Sequence, residues 1–482
     1  MKIFKKRDAA GIMHELGLLM MSIGSLMIVP GIFAVYYSEN WSIFVVPALA
    51  FILLGYLVNR FTKSIPIKLK HAMVISALAW LMASMMGAVP LTLSIDYFGY
   101  IDGVFESMSA WTTTGFSIIS DVESLPRSVQ LWRSLQQWVG GVGVLVMVIS
   151  ILSKAGASAY YRAEAREEKI LPSTLGTVKK IWHIYILYTV LGICMLYISG
   201  LNLWDAINIC MCGISTGGMS VSNSSFPYGD VAKLIMIAIM YIGGVVSFSV
   251  HHNLLTGKDV HDIQTKASIP ILAISALVLV LSSGISPIDA LFTMVSAMTS
   301  TGFSTVSMAG LSNISLAVVI FVMVIGGATG TTTGGIKLMR FLIMGKAFYY
   351  KLKESVLPAG SVVYKKIGKN IMSGNLITDA FIIGFGYVVH YIMASLMLIF
   401  LGYDPYKSLF EAVSMVANMG LSVNIVSSAM HPLAKLTGII SMWVGRLEII
   451  PVYVLLILPA YLKLKDMGNN SKNEIICQKN RK

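Results

Sequence analysis

The chain has 482 residues, of which 56% are hydrophobic and only 12% charged, and its mean hydropathy is +0.76. These figures describe a protein that lives mostly in lipid. The net charge of +13 does not mark a nucleic-acid binder, because the basic residues flank apolar spans and no nucleic-acid-binding fold accompanies them.

In chain order, apolar stretches long enough to cross a bilayer core of about 30 Å are expected at 12–37, 41–59, 72–93, 130–152, 180–201, 231–250, 268–286, 314–335, 377–402 and 437–462. All ten read as helices, since a helix satisfies its own backbone in hydrocarbon. No cleavage-site pattern follows the first, so it reads as a retained span. Segments 1–10, 60–70, 153–182, 251–267, 338–370 and 461–482 hold most of the 36 Lys and Arg. By the positive-inside rule they are cytoplasmic, and an even number of crossings puts both termini there. The stretch FYYKLKESVLPAGSVVYKK (348–366) suits anionic lipid or a cytoplasmic partner.

The opposite side carries Asp96, Asp102, Glu106, Asp121, Glu123, Asp205, Asp230, Asp289, Asp404 and Glu411, opposed only by Arg127, Arg133, Lys233, Lys407 and Lys435. An acidic mouth would concentrate cations; each carboxylate reads equally well as a helix cap. Cys194, Cys210, Cys212 and Cys477 form no CxxC pair, which argues against a zinc site or a disulfide framework. His251 and His252 at a helix end, and His390 in an apolar run, read as packed or capping histidines rather than metal ligands.

Four short polar loops interrupt the apolar background: SAWTTTGFS (109–117), GISTGGMS (213–220), AMTSTGFS (297–304) and VANMGLS (416–422). With Gly115, Gly218, Gly302 and Gly420 as position zero, position −13 holds Asp102, Asp205, Asp289 and Lys407. Position −6 holds Ser109, Cys212, Ser296 and Ser414, and position +2 holds Ser117, Ser220, Ser304 and Ser422. Gly140, Gly243, Gly326 and Gly445 follow 24 or 25 residues downstream. One such loop alone is an ordinary cap or turn; four in register are an internal repeat. Each repeat reads as a crossing helix, a dozen apolar residues too short to span, the Thr/Ser-Gly hairpin and a second crossing helix. Non-helical backbone at that depth requires a water-filled path or burial in protein. The acid opening three of the half-helices suits the positive end of a helix dipole. Four hairpins about one axis supply rings of backbone carbonyls able to replace the water shell of a monovalent cation. The hydroxyls of Thr113, Thr216 and Ser300 add further oxygens, a donor set for hard cations.

The loops, together with WRSLQQWVGGVGV (132–144), IGGATGTTTGGIKLMRF (325–341) and WVGRLEIIPV (443–452), resemble the Trk/Ktr/HKT superfamily of K⁺ transporters over about residues 10–465. The two helices ahead of the first repeat resemble the TrkH/TrkG type of membrane subunit. That resemblance implies an all-α polytopic membrane protein with four tandem helix–half-helix–filter-loop–helix repeats around a central pore. The division is 1–70 (two-helix unit), 71–156, 177–256 and 266–345 (repeats 1 to 3), 346–374 (basic cytoplasmic connector), 375–464 (repeat 4) and 465–482 (tail). It implies a selectivity filter for K⁺ formed by Thr113, Thr114, Gly115, Thr216, Gly217, Gly218, Ser300, Thr301, Gly302, Asn418, Met419 and Gly420. It also implies a homodimer with one pore per subunit, and a TrkA-like cytoplasmic regulatory subunit that alone binds nucleotide; no covalent cofactor is expected. Asn418 replaces the Thr or Ser of the other loops, Gly217 is an extra glycine, and each loop offers one aligned Gly. Fewer well-formed ion sites and looser discrimination between K⁺ and Na⁺ or Rb⁺ are therefore expected.

The stretch GGATGTTTGGIK (326–337) places five glycines and four threonines in an apolar span, where each glycine costs about 1 kcal/mol against alanine in a helix. It lacks the G-K-[ST] ending of a phosphate-binding loop. A glycine-rich packing face is the bland reading. The resemblance assigns an intramembrane gate of Gly326, Gly327, Thr329, Gly330, Thr331, Thr332, Thr333, Gly334 and Gly335, with Arg446. An Arg within a span costs at least about 2.5–3.5 kcal/mol, so it either faces the pore or pairs with a buried carboxylate. Glu448, two residues on, points to another face, and Asp379 is a possible partner. The alternative reading is a symporter coupling K⁺ or Na⁺ to H⁺ or Na⁺. No paired acids or nucleophile constellation suggests an enzyme.

Overall fold

The computed structural model describes residues 6–143, 173–258, 262–358, 361, 363–368 and 370–457. The chain opens with a helical hairpin, α1 (Lys6–Tyr36) and α2 (Ser42–Phe61). The two helices close on small residues. A Cβ on Gly17 or Gly55 would fall 2.9 or 2.6 Å from the carbonyl oxygen of the other glycine, the close approach that lets helices associate in lipid by contact alone.

Four units of one plan follow. Each begins with a long apolar helix: α3 (Leu69–Ser94), α6 (Thr174–Ile198), α10 (Ile263–Ser283) and α14 (Gly374–Phe400). Each continues with a half-helix of 12 residues: α4 (Tyr100–Trp111), α7 (Leu203–Ile214), α11 (Pro287–Met298) and α15 (Pro405–Val416). At 1.5 Å per residue that length covers only about 18 Å. After the polar loop comes a second helix: α5 (Arg127–Val142), α8 (Asp230–Gly244), α12 (Asn313–Ile325) and α16 (Pro432–Arg446).

The half-helices start where side-chain oxygens meet their free N–H groups. Asn202 and Ser286 accept from the amides of Asp205 and Asp289, and the Asp102 carboxylate accepts from Gly99 N at 3.1 Å. Repeat 4 lacks an acid at this position, but Asp404 takes over as N-cap and accepts from Lys407 N at 2.9 Å.

Every second helix packs against its own half-helix and against the half-helix of the next unit. Thus α5 lies on α7, α8 on α11, α12 on α15, and α16 returns to α4. The fourth seam closes a circle. Lys233 binds Asp289 at 2.8 Å and Lys435 binds Asp102 at 2.7 Å, so two of the seams carry an ion pair between neighbouring units.

Ten unbroken spans do not form. Among the described residues, six helices are continuous and apolar enough to cross a membrane. Two further helix pairs are long and apolar enough only when taken together, and both are sharply bent: α8 with α9 (Phe248–Leu255) at 104°, and α16 with α17 (Ile450–Ile457) at 114°. Helix α12 stops at Ile325, before the end of its expected span 314–335, and α5 stops at Val142. The remainder of the span 130–152, the end of 437–462, the basic stretch 153–172 and the tail 465–482 with Cys477 lie outside the described residues.

The second helices end within two residues of one repeat position, and three of them come against a carbonyl there. A Cβ on Gly140, Gly243 or Gly445 would fall 2.0, 2.6 or 1.9 Å from the carbonyl oxygen of Trp111, Ile214 or Val416, the last residues of α4, α7 and α15. Helix α13 (Leu338–Val356) runs from the end of the third unit into the basic connector, which also holds a two-residue antiparallel pairing of Lys366–Ile367 with Asn370–Ile371.

Gly445→Ala is expected to cost about 1–3 kcal/mol of stability through overpacking. Gly345→Ala, whose Cβ would meet nothing within 4 Å on α13, is expected to be neutral or stabilising. Circular-dichroism melts in detergent check this; an unchanged midpoint for Gly445→Ala contradicts the close approach.

Candidate functional site

The C-terminal ends of the half-helices build the loops. In each, the N–H at position −1 returns to the carbonyl at −6: Thr114 to Ser109 (2.8 Å), Gly217 to Cys212 (2.7 Å), Thr301 to Ser296 (3.0 Å) and Met419 to Ser414 (2.8 Å). This six-to-one bond closes a helix through a residue in the left-handed region, normally glycine. Here that residue, at −2, is Thr113, Thr216, Ser300 or Asn418, with φ of 53°, 55°, 52° and 52°. Left-handed backbone at a non-glycine residue costs of order 1–3 kcal/mol and persists where surroundings over-determine it. The aligned glycines are also at positive φ: Gly115 94°, Gly218 74°, Gly302 90° and Gly420 83°.

The four loops meet. A Cβ on Gly115 would fall 2.1 Å from Gly217 O, on Gly218 1.9 Å from Thr301 O, on Gly302 2.3 Å from Met419 O, and on Gly420 2.1 Å from Thr114 O. Each glycine abuts the −1 carbonyl of the next loop, in the order 1, 2, 3, 4 and back to 1. A cavity of about 290 Å³ opens over them, lined by all four glycines and by Ser117, Ser220, Ser304 and Ser422.

The predicted hydroxyl ligands are not equivalent. Thr113 Oγ1 accepts from Arg446 at 3.0 Å, and Thr216 Oγ1 meets Thr332 Oγ1 at 3.0 Å. Ser300 Oγ is buried with no hydrogen-bond partner among the described residues. Asn418 turns its amide sideways, donating to Thr114 Oγ1 at 3.0 Å and to Met442 O at 2.8 Å, and so bridges loop 4 to loop 1.

Different side chains brace the loops from behind. Glu106, fully buried, accepts from Ser117 Oγ (2.9 Å), Ile118 N (3.0 Å) and Arg133 Nε (2.9 Å), while Arg133 Nη1 reaches Ser220 O at 3.0 Å. Glu411 stands at the same position of repeat 4 and accepts from Ser422 and from the amides of Val423 and Ile425. Gln137 holds loop 2 by its amide.

Half of the predicted acidic mouth is therefore something else. Glu106 and Glu411 are buried braces, Asp102 and Asp289 are paired with lysines, and Asp205 accepts from Asn202 and Tyr228. Asp96, Asp121, Glu123, Asp230 and Asp404 remain exposed. The hydrogen bond from Asn223 holds the Asp121 carboxyl below the ordinary range. The physical reason is placement: carboxylates at half-helix starts or behind loop turns find unsatisfied N–H groups before they find solvent.

Beneath the ring runs the loop 326–337. Ala328 N donates to Gly244 O (3.0 Å), Phe248 N to Gly330 O (3.2 Å), and both Thr329 N and Thr329 Oγ1 to Gln264 Oε1 (2.8 and 3.1 Å). A Cβ on Gly334 would fall 2.2 Å from Ala417 O, so the loop touches the base of loop 4 as well as repeat 2.

Arg446 ties the two layers together. Besides Thr113 Oγ1, its guanidinium donates to Thr332 O (2.7 Å) and Gly140 O (2.5 Å), and it stacks 5.1 Å from the Trp80 ring centre. Charge-assisted bonds of this kind contribute roughly 1.5–3 kcal/mol each, enough to hold an Arg whose burial costs several. Asp379 is exposed near the start of α14 and is not its partner. Glu448 binds Arg340 at 2.6 Å. Lys337, buried at the end of the loop, donates to Thr333 O. A cavity of about 50 Å³ here is lined by Thr329 to Gly334, Lys337, Arg446 and Glu448.

Sequence reasoning did not single out Gln137, Lys337 or the bracing role of Glu106 and Glu411. The two glutamates share position −9, a signal the alignment on glycine contains. Gln137 stands three positions before Gly140, where the other repeats carry Met240, Met323 and Met442.

The TrkH family model, described as a cation transport protein, matches residues 42–272 and 267–461. An uncharacterised cation transporter of Methanocaldococcus jannaschii is 51% identical over 93% of this chain and 96% of its own. The Trk system potassium uptake protein TrkH of Escherichia coli K12 is 30% identical over 91% of this chain and 96% of its own. The crystal structure of the potassium transporter TrkH from Vibrio parahaemolyticus superposes with a TM-score of 0.83 at 26% identity, covering 93% of this chain and 98% of that one. A circle of four half-helices in a polytopic helical chain and relatives matched almost end to end agree, and this protein belongs to the TrkH family of cation transport proteins.

Proposed function

We propose that this chain is the K⁺-translocating subunit of a potassium uptake system in a bacterial-type inner membrane, with both termini cytoplasmic. The observation that carries the reading is the closed ring, in which each loop glycine abuts the carbonyl of the next loop. Thr113 to Gly115, Thr216 to Gly218, Ser300 to Gly302 and Asn418 to Gly420 form the filter, and their carbonyls replace the hydration shell of K⁺. The membrane potential, about 2.3 kcal/mol per charge per 100 mV, drives uptake. Relatives in E. coli and V. parahaemolyticus are named as potassium uptake proteins or transporters, which supports K⁺ as the cargo here.

Gly326, Gly327, Thr329 to Gly335 and Arg446 form the gate. Its closed state is held by the guanidinium, which places a positive charge against the base of loop 1 through Thr113. The chain works as a homodimer over a TrkA-like nucleotide-binding regulatory subunit; the basic connector 346–374 is its contact surface. Gating then requires Arg446 to leave Thr113 or Thr332, and a regulatory subunit pulling on α13, which directly follows the gate loop, supplies that motion. Coupled symport with H⁺ or Na⁺ is the competing reading. ⁸⁶Rb⁺ uptake into liposomes that follows the applied voltage without a pH or Na⁺ gradient supports the channel; uptake that requires either gradient supports the symporter.

Gly302→Ser and Gly218→Ser are expected to lower the K⁺/Na⁺ uptake ratio about tenfold, the factor that roughly 1.4 kcal/mol of lost discrimination represents. A wild-type ratio in folded protein refutes the filter assignment. Arg446→Ala is expected to raise ⁸⁶Rb⁺ flux severalfold, with Arg446→Lys intermediate; unchanged or reduced flux from monodisperse protein refutes the gate role.

A further inference from the structure

The ring is not uniform, and one of its asymmetries is a side-chain hydrogen bond to a −1 carbonyl. The −1 carbonyls of Thr114, Gly217, Thr301 and Met419 each lie against the glycine of a neighbouring loop. Gly217 O also accepts from the side-chain amide of Gln137 at 2.7 Å, and Gln137 Oε1 accepts from Met219 N at 3.0 Å. Gln137 is fully buried on α5. Its two bonds straddle Gly218, so the amide clamps loop 2 on both sides of the glycine. The orientation of that amide is fixed by its partners, since one is an acceptor and the other a donor.

The other units have no such clamp at this position. Three residues before Gly243, Gly326 and Gly445 stand Met240, Met323 and Met442, all fully buried, and a thioether donates no hydrogen bond. Loop 2 is likewise alone in having glycine at −1, where the others carry Thr114, Thr301 and Met419. A Cβ on Gly217 would fall 2.3 Å from Gln137 Cδ and Oε1. Gln137 and Gly217 are thus a matched pair: the amide occupies the volume that a side chain at 217 would fill.

We propose that Gln137 is a positioning residue that sets the ion discrimination of the ring, an inference that rests on the filter reading above. The donated N–H takes one lone pair of the Gly217 carbonyl and brings partial positive charge toward the ring. The second bond, from Met219, prevents loop 2 from sliding inward. The ring then keeps the spacing of a large, easily dehydrated monovalent cation and does not contract around Na⁺, which would need shorter oxygen distances.

The test is competition of ⁸⁶Rb⁺ uptake by K⁺ and Na⁺ in liposomes holding the full chain as wild type, Q137M, G217A, the double variant and Gly302→Ser. Q137M is expected to lower the K⁺/Na⁺ ratio by about three- to tenfold, the range that one neutral hydrogen bond converts to. G217A, whose Cβ displaces the amide, is expected to fall similarly, and the double variant to be no worse than either single one. A purely structural role would lower the yield of folded protein and leave the ratio of ions it carries unchanged. If Q137M gives no monodisperse protein, Q137L takes its place with the same outcomes. A ratio within about twofold of wild type in Q137M, or singles whose effects multiply in the double, overturns the proposal while Gly302→Ser still shifts the ratio. An unchanged ratio in Gly302→Ser removes the filter reading itself and this proposal with it.

Discussion

The structure depends on four backbone approaches. At Gly115, Gly218, Gly302 and Gly420 the chain comes so near the carbonyl of the adjacent loop that no Cβ fits. Each approach joins one repeat to the next, and the fourth joins the last to the first. The half-helices must end at one depth, their loops must turn within two residues, and the second helices must close over the turns. The left-handed residues at −2 follow from this constraint. A half-helix that ended in a relaxed cap would carry its loop away from its neighbour, so the chain accepts left-handed backbone at Thr113, Thr216, Ser300 and Asn418, where the surrounding contacts hold it.

Approximate fourfold symmetry in the backbone is combined with four different sets of supporting side chains. Loop 1 leans on the Glu106–Arg133 pair, loop 2 on Gln137, loop 3 on hydroxyls from Ser296 and Ser225, and loop 4 on Glu411. A single chain can do this, whereas four identical subunits could not. Glu106 and Glu411 show the consequence. The first is matched by a guanidinium; the second has Gly438 where repeat 1 has Arg133, and its Oε2 is buried without a hydrogen-bond partner among the described residues. An unmatched carboxylate is costly in a low-dielectric interior, so loop 4 is the support whose electrostatics are least settled.

Below the ring, Arg446 replaces the small residue that the other repeats carry at this position, Gly141, Gly244 and Gly327. A glycine there packs against the base of a neighbouring loop, as Gly244 does against Thr299. Arg446 reaches past that contact to Thr113, Thr332 and Gly140 together. One side chain therefore couples the loop layer to the 326–337 layer, so a displacement of either removes donors or acceptors from the other.

Much of this was legible locally. Half-helices of a dozen residues, four Thr/Ser-Gly turns in register and a glycine–threonine interruption at 326–337 are patterns within short windows, and the resemblance they carry agrees with the family. Other features had no local signal. Gly140, Gly243 and Gly445 recur at one repeat position, but nothing near them in the chain shows that the carbonyls of Trp111, Ile214 and Val416 arrive there from another helix. Each acidic residue read equally well as a surface charge or a helix cap until its N–H or lysine partners were placed. Arg446 and Thr113 are 333 positions apart, and Gln137 and Gly217 are 80 apart. The sequence by itself determined the unit and its number of copies, because helix length, turn chemistry and hydropathy are properties of neighbouring residues. The order of the ring, the partners of its buried charges and the clamp on loop 2 were decided only by the tertiary structure, because they arise where segments far apart in the chain are packed too closely for a side chain to intervene.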